Sequence, residues 1–244
     1  MTTPANNHSS PDLSPGRSPD WRPLDLSLYL VADHAVCQQA GADLPEMVAR
    51  SVAAGATVVQ IRAKELPGGA FTDLAAQVCA VLPPSVPLLI NDRIDVVLAL
   101  RRRGLACAGA HVGQADLDVR DVRALLGDEA VIGLSAASPQ QLRAAHTSAA
   151  RIDYVGIGPL HSTRTKRDAP AGLGIDTVIE RARDCTLPAV AIGGITPADM
   201  PALRSGGLAG AAVVSYICAS ADPGAATERL AAAWNAAPTW KQQR

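Results

Sequence analysis

"YVGIGPLHSTRTKRDAP", residues 154–170, begins as an apolar run, turns at Gly156, Gly158 and Pro159, and then crowds Thr163, Arg164, Thr165, Lys166 and Arg167 into one loop. A short aliphatic run bounded by turn residues has the pattern of a strand buried on both faces, and such strands belong to parallel sheets covered by helices. Working outward, the same unit recurs along the chain. The runs are "LYLVA" (28–32), "TVVQIR" (57–62), "PLLIN" (87–91), "ACAGAHV" (106–112), "AVIGLS" (130–135), "IDYVGIG" (152–158), "AVAIGG" (189–194) and "GAAVVS" (210–215), which makes eight. Between them lie stretches rich in Ala, Leu, Arg and Glu. Two carry helix-start signals, "SPQQLRAA" from 138 and "TPADMPAL" from 196, each with a Ser or Thr cap and a Pro in the first turn. Eight parallel strands alternating with helices predict an α/β fold, a single (β/α)8 TIM barrel. An open doubly wound sheet is the alternative, and no G-x-G-x-x-G follows the first strand to support it.

The length of 244 residues suits one barrel, placed at 25–236. Residues 1–24 are dense in Pro, Ser, Asn and Thr, so they cannot bury enough apolar surface to offset ordering entropy; a disordered tail is expected. Residues 237–244 read as a short, frayed extension. Hydrophobic residues at 48% leave room for a large core, while a net charge of −1 and scarce aromatics argue against a nucleic-acid surface. The longest apolar stretch, 208–221, is too short to span a bilayer, so no membrane partner is expected. Five scattered cysteines without a C-x-x-C pair point to a reducing compartment, the cytoplasm. Small molecules are the expected partners, and a homo-oligomer is left open.

In such a barrel, chemistry sits at the C-terminal ends of the strands. The polar residues fall there. Strand two ends in "QIRAKE", which projects Gln60, Arg62 and Lys64 to one side and suits a multiply charged anion; the bland reading is a solvated strand end. Strand three ends in Asn91 and Asp92, and strand four delivers His111, Gln114 and Asp116. Two carboxylates on neighbouring strand ends can hold Mg2+ together with water and phosphate oxygens, although an Asn-Asp pair after a strand is more often a turn or a helix cap. His111 reads as a satisfied core histidine. "IGGI" after strand seven and "VVSY" after strand eight each read as opening a helix, so N–H groups near Gly194 and Ser215 can face an anion. Two phosphate-type sites on one mouth suggest a reaction between two phosphorylated molecules.

"LYLVAD", "QIRAKE", "LLINDRID", "HVGQADL", "IGLSAAS", "YVGIGPLHSTRTKRDA", "AIGGIT" and "VVSYI", in this order, closely resemble the thiamine-phosphate synthase family over about residues 28–218. The resemblance implies condensation of 4-amino-2-methyl-5-(diphosphooxymethyl)pyrimidine with thiazole phosphate, releasing pyrophosphate. It implies that Gln60, Arg62, Lys64, Asn91, Ser135 and Lys166 bind the pyrimidine diphosphate, with Lys166, Ser135, Arg62 and Lys64 acting in catalysis. Asp92 and Asp116 match Mg2+ ligands; Thr163, Thr165, Gly194, Val214 and Ser215 match thiazole-phosphate contacts. The chain departs from the family pattern at His161-Ser162, where Phe-Pro is usual, and at Ala137, where a histidine is common. Three rivals remain: a thiazole tautomerase-like paralogue, a non-catalytic thiamine-phosphate sensor, and a sugar-phosphate isomerase. The first two are disfavoured by the full diphosphate and metal set, the third by the lack of a paired acid and base.

Overall fold

The computed structural model describes residues 23–162 and 172–240. In chain order the elements are β1 (Leu28–Asp33), α1 (His34–Gln39), α2 (Leu44–Ala53), β2 (Val58–Arg62), α3 (Gly68–Val81), β3 (Leu88–Asn91), α4 (Ile94–Arg102), β4 (Gly109–Val112) and α5 (Val119–Leu126). Then follow β5 (Val131–Ser135), α6 (Pro139–Thr147), β6 (Tyr154–Ile157), α7 (Ile175–Asp184), β7 (Ala189–Ile192), α8 (Met200–Gly206), β8 (Gly210–Val213), α9 (Ser215–Cys218) and α10 (Pro223–Ala236). Each strand pairs in parallel with its sequence neighbours, and Tyr29 in β1 pairs with both Val58 in β2 and Ala212 in β8, which closes the ring. All eight expected strands are present in a (β/α)8 barrel.

Alternation along each strand splits the core in two, because successive side chains point to opposite faces. Leu30, Ile61, Ile90, Ile132, Val155 and Ala191 face outward into the layer shared with the helices. Tyr29, Val31, Val58, Leu89, Val131, Tyr154 and Val190 face inward and fill the barrel. Both faces of every strand are therefore dry, which explains why the strands read as unbroken apolar runs.

Several local expectations need correction. The fourth strand begins at Gly109, three residues after the start of the predicted run. Ser138 caps α6 through a capping box with Gln141, as its sequence signal predicts. Thr196 caps no helix: α8 begins at Met200 after Asp199, and the Thr196 N–H and hydroxyl instead donate to the Asp199 carboxylate at 2.8 Å each. Strand seven consequently runs into a turn and does not open a helix directly. The Thr196–Asp199 pairing satisfies this turn locally, and Pro201 in the first turn of α8 delays the helix start.

The expected tail lies outside the described residues up to position 22. At the other end, the described part of the expected extension is packed: Ala237 is buried, Ser205 Oγ donates to the Pro238 carbonyl, and Arg183 stacks 3.9 Å over the Trp240 ring. Among the described residues no helix is long and apolar enough to cross a membrane.

Candidate active site

The inward face of β2 delivers the first functional group. Gln60 is buried, and its Nε2 donates to the Tyr29 hydroxyl at 2.6 Å. One pleat nearer the mouth, Arg62 Nη1 donates to Asp33 Oδ2. Asp33 is itself buried at the end of β1, and its other oxygen caps α1 by accepting from Val36 N at 3.1 Å. Beyond the strand, the half-exposed Lys64 places Nζ 3.3 Å from Asp92 Oδ2. The three residues expected on one side do converge on one mouth, but each already has a partner. Gln60 works from inside the barrel, Arg62 is oriented by a buried carboxylate, and only Lys64 sits at a solvated strand end.

The acidic pair forms as expected on adjacent loops. Asp92 follows Asn91 at φ 60°, a left-handed conformation that Asp tolerates better than bulkier residues, and its N–H donates to the His111 carbonyl at 2.9 Å. Asp116 Oδ2 accepts from Gly113 N at 2.8 Å in the turn after β4. Burial pushes the Asp92 carboxyl above its ordinary range, and the Asp116 charge pushes it further the same way; Lys64 pulls it back. Two facing carboxylates with the Lys64 ammonium beside them are chemically suited to a hard cation. Among the described residues no cluster of three or more His, Cys, Asp or Glu side chains gathers to cage a metal, so a cation here would draw its remaining ligands from substrate and water.

Ser135 ends β5 and is joined to His111 on β4, whose Nε2 lies 2.9 Å from Ser135 Oγ and whose Nδ1 lies 2.9 Å from the Tyr154 hydroxyl. Burial pushes the imidazole down to about 4, with the Asp116 charge opposing only in part, so His111 is neutral at physiological pH. It is the satisfied histidine that its sequence context suggests. Gln114 Nε2 braces the same strand end by donating to the Ser135 carbonyl at 2.7 Å.

Across the mouth, Gly193 and Gly194 take φ of 98° and 69°, which only glycine adopts freely. Val214 leads into the single-turn α9, which begins at Ser215. His161 fastens this region: its N–H donates to the Gly193 carbonyl at 3.0 Å, and its Nε2 lies 2.8 Å from Asp199 Oδ1. Burial alone would raise the Asp199 carboxyl, but hydrogen bonds from His161 and Thr196 outweigh it and hold the group below its usual range. Thr163, Thr165 and Lys166 lie outside the described residues.

Three participants escaped sequence reasoning. Asp33 was legible as the last letter of "LYLVAD", but the predicted strand stopped one residue short of it. Tyr29 and Tyr154 sit in apolar runs where a tyrosine reads as core, and nothing local announces that their hydroxyls meet 2.7 Å apart inside the barrel.

A (β/α)8 barrel with cations and paired carboxylates on one arc of its mouth and two positive-φ glycines on the other has the layout of the TIM-barrel enzymes, whose chemistry sits at the strand C-termini. Residues 28–217 match the family model for thiamine monophosphate synthase. The chain is 41% identical over 206 residues to the thiamine-phosphate synthase of Corynebacterium efficiens, covering 84% of this chain and 94% of that one. It is 42% identical over 201 residues to that of Azorhizobium caulinodans, covering 82% and 91%. Thiamine phosphate pyrophosphorylase from Pyrococcus furiosus superposes with a TM-score of 0.75 at 24% identity, over 86% of this chain and 96% of that one, a likeness of fold. The chain belongs to the thiamine monophosphate synthase family.

Proposed function

We propose that this protein joins 4-amino-2-methyl-5-(diphosphooxymethyl)pyrimidine to thiazole phosphate, giving thiamine phosphate and pyrophosphate in the cytoplasm. The observation that carries the reading is the convergence of Gln60, Arg62, Lys64, Asn91, Asp92 and Asp116 on one arc of the mouth, opposite Gly194 and Ser215. In the reaction the C–O bond to the diphosphate breaks with its electron pair leaving on oxygen, and the thiazole nitrogen lone pair forms the new C–N bond. No protein nucleophile is needed.

The chain's own residues divide the work. Arg62, held in place by Asp33, and Lys64 face the departing diphosphate; one preorganised donor of this kind is typically worth about 3 kcal/mol of barrier. Lys166, from the loop after β6, joins them in this reading. Gln60 and Ser135 address the pyrimidine. The backbone at Gly194, Val214 and Ser215, with Thr163 and Thr165, holds the thiazole phosphate so that the two substrates meet in a fixed orientation. Asp92 and Asp116 would hold Mg2+, which when bound supplies positive charge to the diphosphate oxygens.

A tautomerase-like paralogue or a sensor would have no use for paired carboxylates beside leaving-group cations. The deciding experiment incubates purified protein with both phosphorylated precursors and Mg2+ and follows thiamine phosphate and pyrophosphate. Equimolar products, abolished by chelator without unfolding, are expected. Tight binding of thiamine phosphate with no turnover would sink the enzyme reading in favour of the sensor.

A further inference from the structure

The barrel interior carries an unbroken polar chain in an otherwise apolar layer. Gln60 Nε2 donates to the Tyr29 hydroxyl at 2.6 Å; Tyr29 and Tyr154 hydroxyls lie 2.7 Å apart; Tyr154 lies 2.9 Å from His111 Nδ1; His111 Nε2 lies 2.9 Å from Ser135 Oγ. Both tyrosines are fully buried, and burial raises both phenols well above their ordinary range. The space is made for this chain: a Cβ on Gly133 would fall 2.2 Å from Tyr154 Cζ and 2.5 Å from His111 Nδ1, and one on Gly156 would fall 3.3 Å from His111 Cε1. The chain crosses strands β2, β1, β6, β4 and β5 and ends at the two side chains that the proposed function assigns to the pyrimidine.

Each hydroxyl in such a chain has one proton, so the direction of one bond sets all the others. The amide nitrogen of Gln60 is turned to Tyr29, so the Tyr29 oxygen accepts and its proton passes to Tyr154. Tyr154 then donates to His111 Nδ1. A neutral imidazole that accepts at Nδ1 carries its proton on Nε2, which donates to Ser135 Oγ. Ser135, having accepted, keeps its own O–H for a ligand, while Gln60, held by one of its two amide N–H groups to Tyr29, turns its carbonyl oxygen away from the chain as an acceptor. We infer that Tyr29, Tyr154 and His111 are positioning residues that fix this polarity, so that the mouth offers an acceptor at Gln60 and a donor at Ser135. The complementary ligand edge is an amino group with an unprotonated ring nitrogen, a 4-aminopyrimidine. The 4-oxo analogue presents the reverse pattern and leaves mismatched buried groups at both ends. The choice of pyrimidine rests on the function proposed above; the polarity of the chain does not.

Two measurements test it. The first is the tautomer of His111 in the unmodified protein, read from ring-nitrogen shifts of 15N-histidine-labelled sample and assigned with a His111→Gln variant. Protonation on Nε2 is expected, and a proton on Nδ1 overturns the inference whatever the enzyme turns over. The second compares the amino substrate with its 4-oxo analogue. The parent should prefer the amino form by about a hundredfold or more in kcat/KM, as expected when a site's buried polar groups would be left mispaired. Tyr154→Phe, which cuts the chain and lets both ends reorient, should lose at least about tenfold of that preference, through KM for the pyrimidine and not for thiazole phosphate. Unchanged discrimination in Tyr154→Phe refutes the inference. If that variant does not fold, Tyr29→Phe, which cuts the chain one link earlier, is read in the same way. Failure of both pyrimidines to react, with the Nε2–H tautomer in place, would sink the substrate assignment and leave the polarity standing.

Discussion

The foot of the barrel and its mouth use cations in opposite ways. At the foot, Arg123 is buried and engages the carbonyls of Ala130, Ala150, Arg151, Gly127 and Asp128 together with the Asp153 carboxylate. Arg101 does the same on a smaller scale with the carbonyls of Cys107, Ala108 and Leu126. These arginines neutralise and tie together chain ends that enter β4, β5 and β6. At the mouth, Lys64 makes one contact, 3.3 Å to Asp92, and stays half-exposed. A cation whose donors are all satisfied by the fold can only stabilise it. One with donors to spare can bind what arrives. Arg62 stands between the two, since its partner Asp33 is buried but only one of its nitrogens is taken up by it.

The largest effect expected from this contrast is at the foot. Arg123→Met removes the guanidinium donors from several buried carbonyls and the cation beside the Asp153 carboxylate, which still accepts from Ile132 N at 2.8 Å, and this should destabilise by about 4 kcal/mol. Urea unfolding should show the loss, while kcat measured well below the new transition stays near the parent value. A variant that keeps its stability but loses turnover would break the contrast outright.

Acid separates the two ends by a different route, because arginines at the foot stay charged throughout whereas the neutral imidazole inside the mouth gains a proton. His111 takes up a proton near pH 6.5 in the unfolded chain but only at about 4 in the folded one. The unfolded state therefore binds more protons between these values, and stability falls as pH drops from about 6.5 to about 4, by up to about 3 kcal/mol from this group. His111→Gln should flatten that part of the stability profile while leaving the Arg123→Met increment unchanged at every pH. An acid profile identical to the parent's would place the titration elsewhere.

Lys64→Met comes next in size. It should cut kcat about a hundredfold by removing charge from the leaving diphosphate. The same variant should shift unfolding by no more than about 0.5 kcal/mol, since a half-exposed ion pair contributes little. A loss of stability comparable to that of Arg123→Met would mean that the mouth and foot cations are the same kind of residue.

The same contrast explains what the sequence revealed. The barrel was legible because its strands are dry on both faces, so that "LYLVA", "PLLIN" and "AVIGLS" stand out as apolar runs regardless of distant context. The positions of Gln60, Asp92 and Asp116 at the mouth were legible because a polar residue within or just after such an apolar run stands out against it. Asp33 was lost to a one-residue error at a strand end. Tyr29 and Tyr154 were lost for a deeper reason: their hydroxyls meet each other, Gln60 and His111, 125 positions separate the two tyrosines, and no local pattern encodes that meeting. Thr196 misled because a Thr-Pro pair signals a helix start, whereas here the carboxylate of Asp199 uses the threonine to close a turn.

The smallest change sharpens the contrast most. Arg101→Lys keeps the charge at the foot but replaces a planar fork with a point. Arg101 Nε, Nη1 and Nη2 each reach a different carbonyl, at 3.1, 2.7 and 3.0 Å. A lysine ammonium on a shorter reach can satisfy one of these, or two with strain, so about 1–2 kcal/mol of stability should be lost. The foot is thus expected to discriminate between two cations of equal charge by geometry alone, with kcat and both KM values untouched. Full stability in Arg101→Lys would mean that charge, not the fork, holds this end together; a change in KM for either substrate would mean that the foot communicates with the mouth, and the division between them would have to be abandoned.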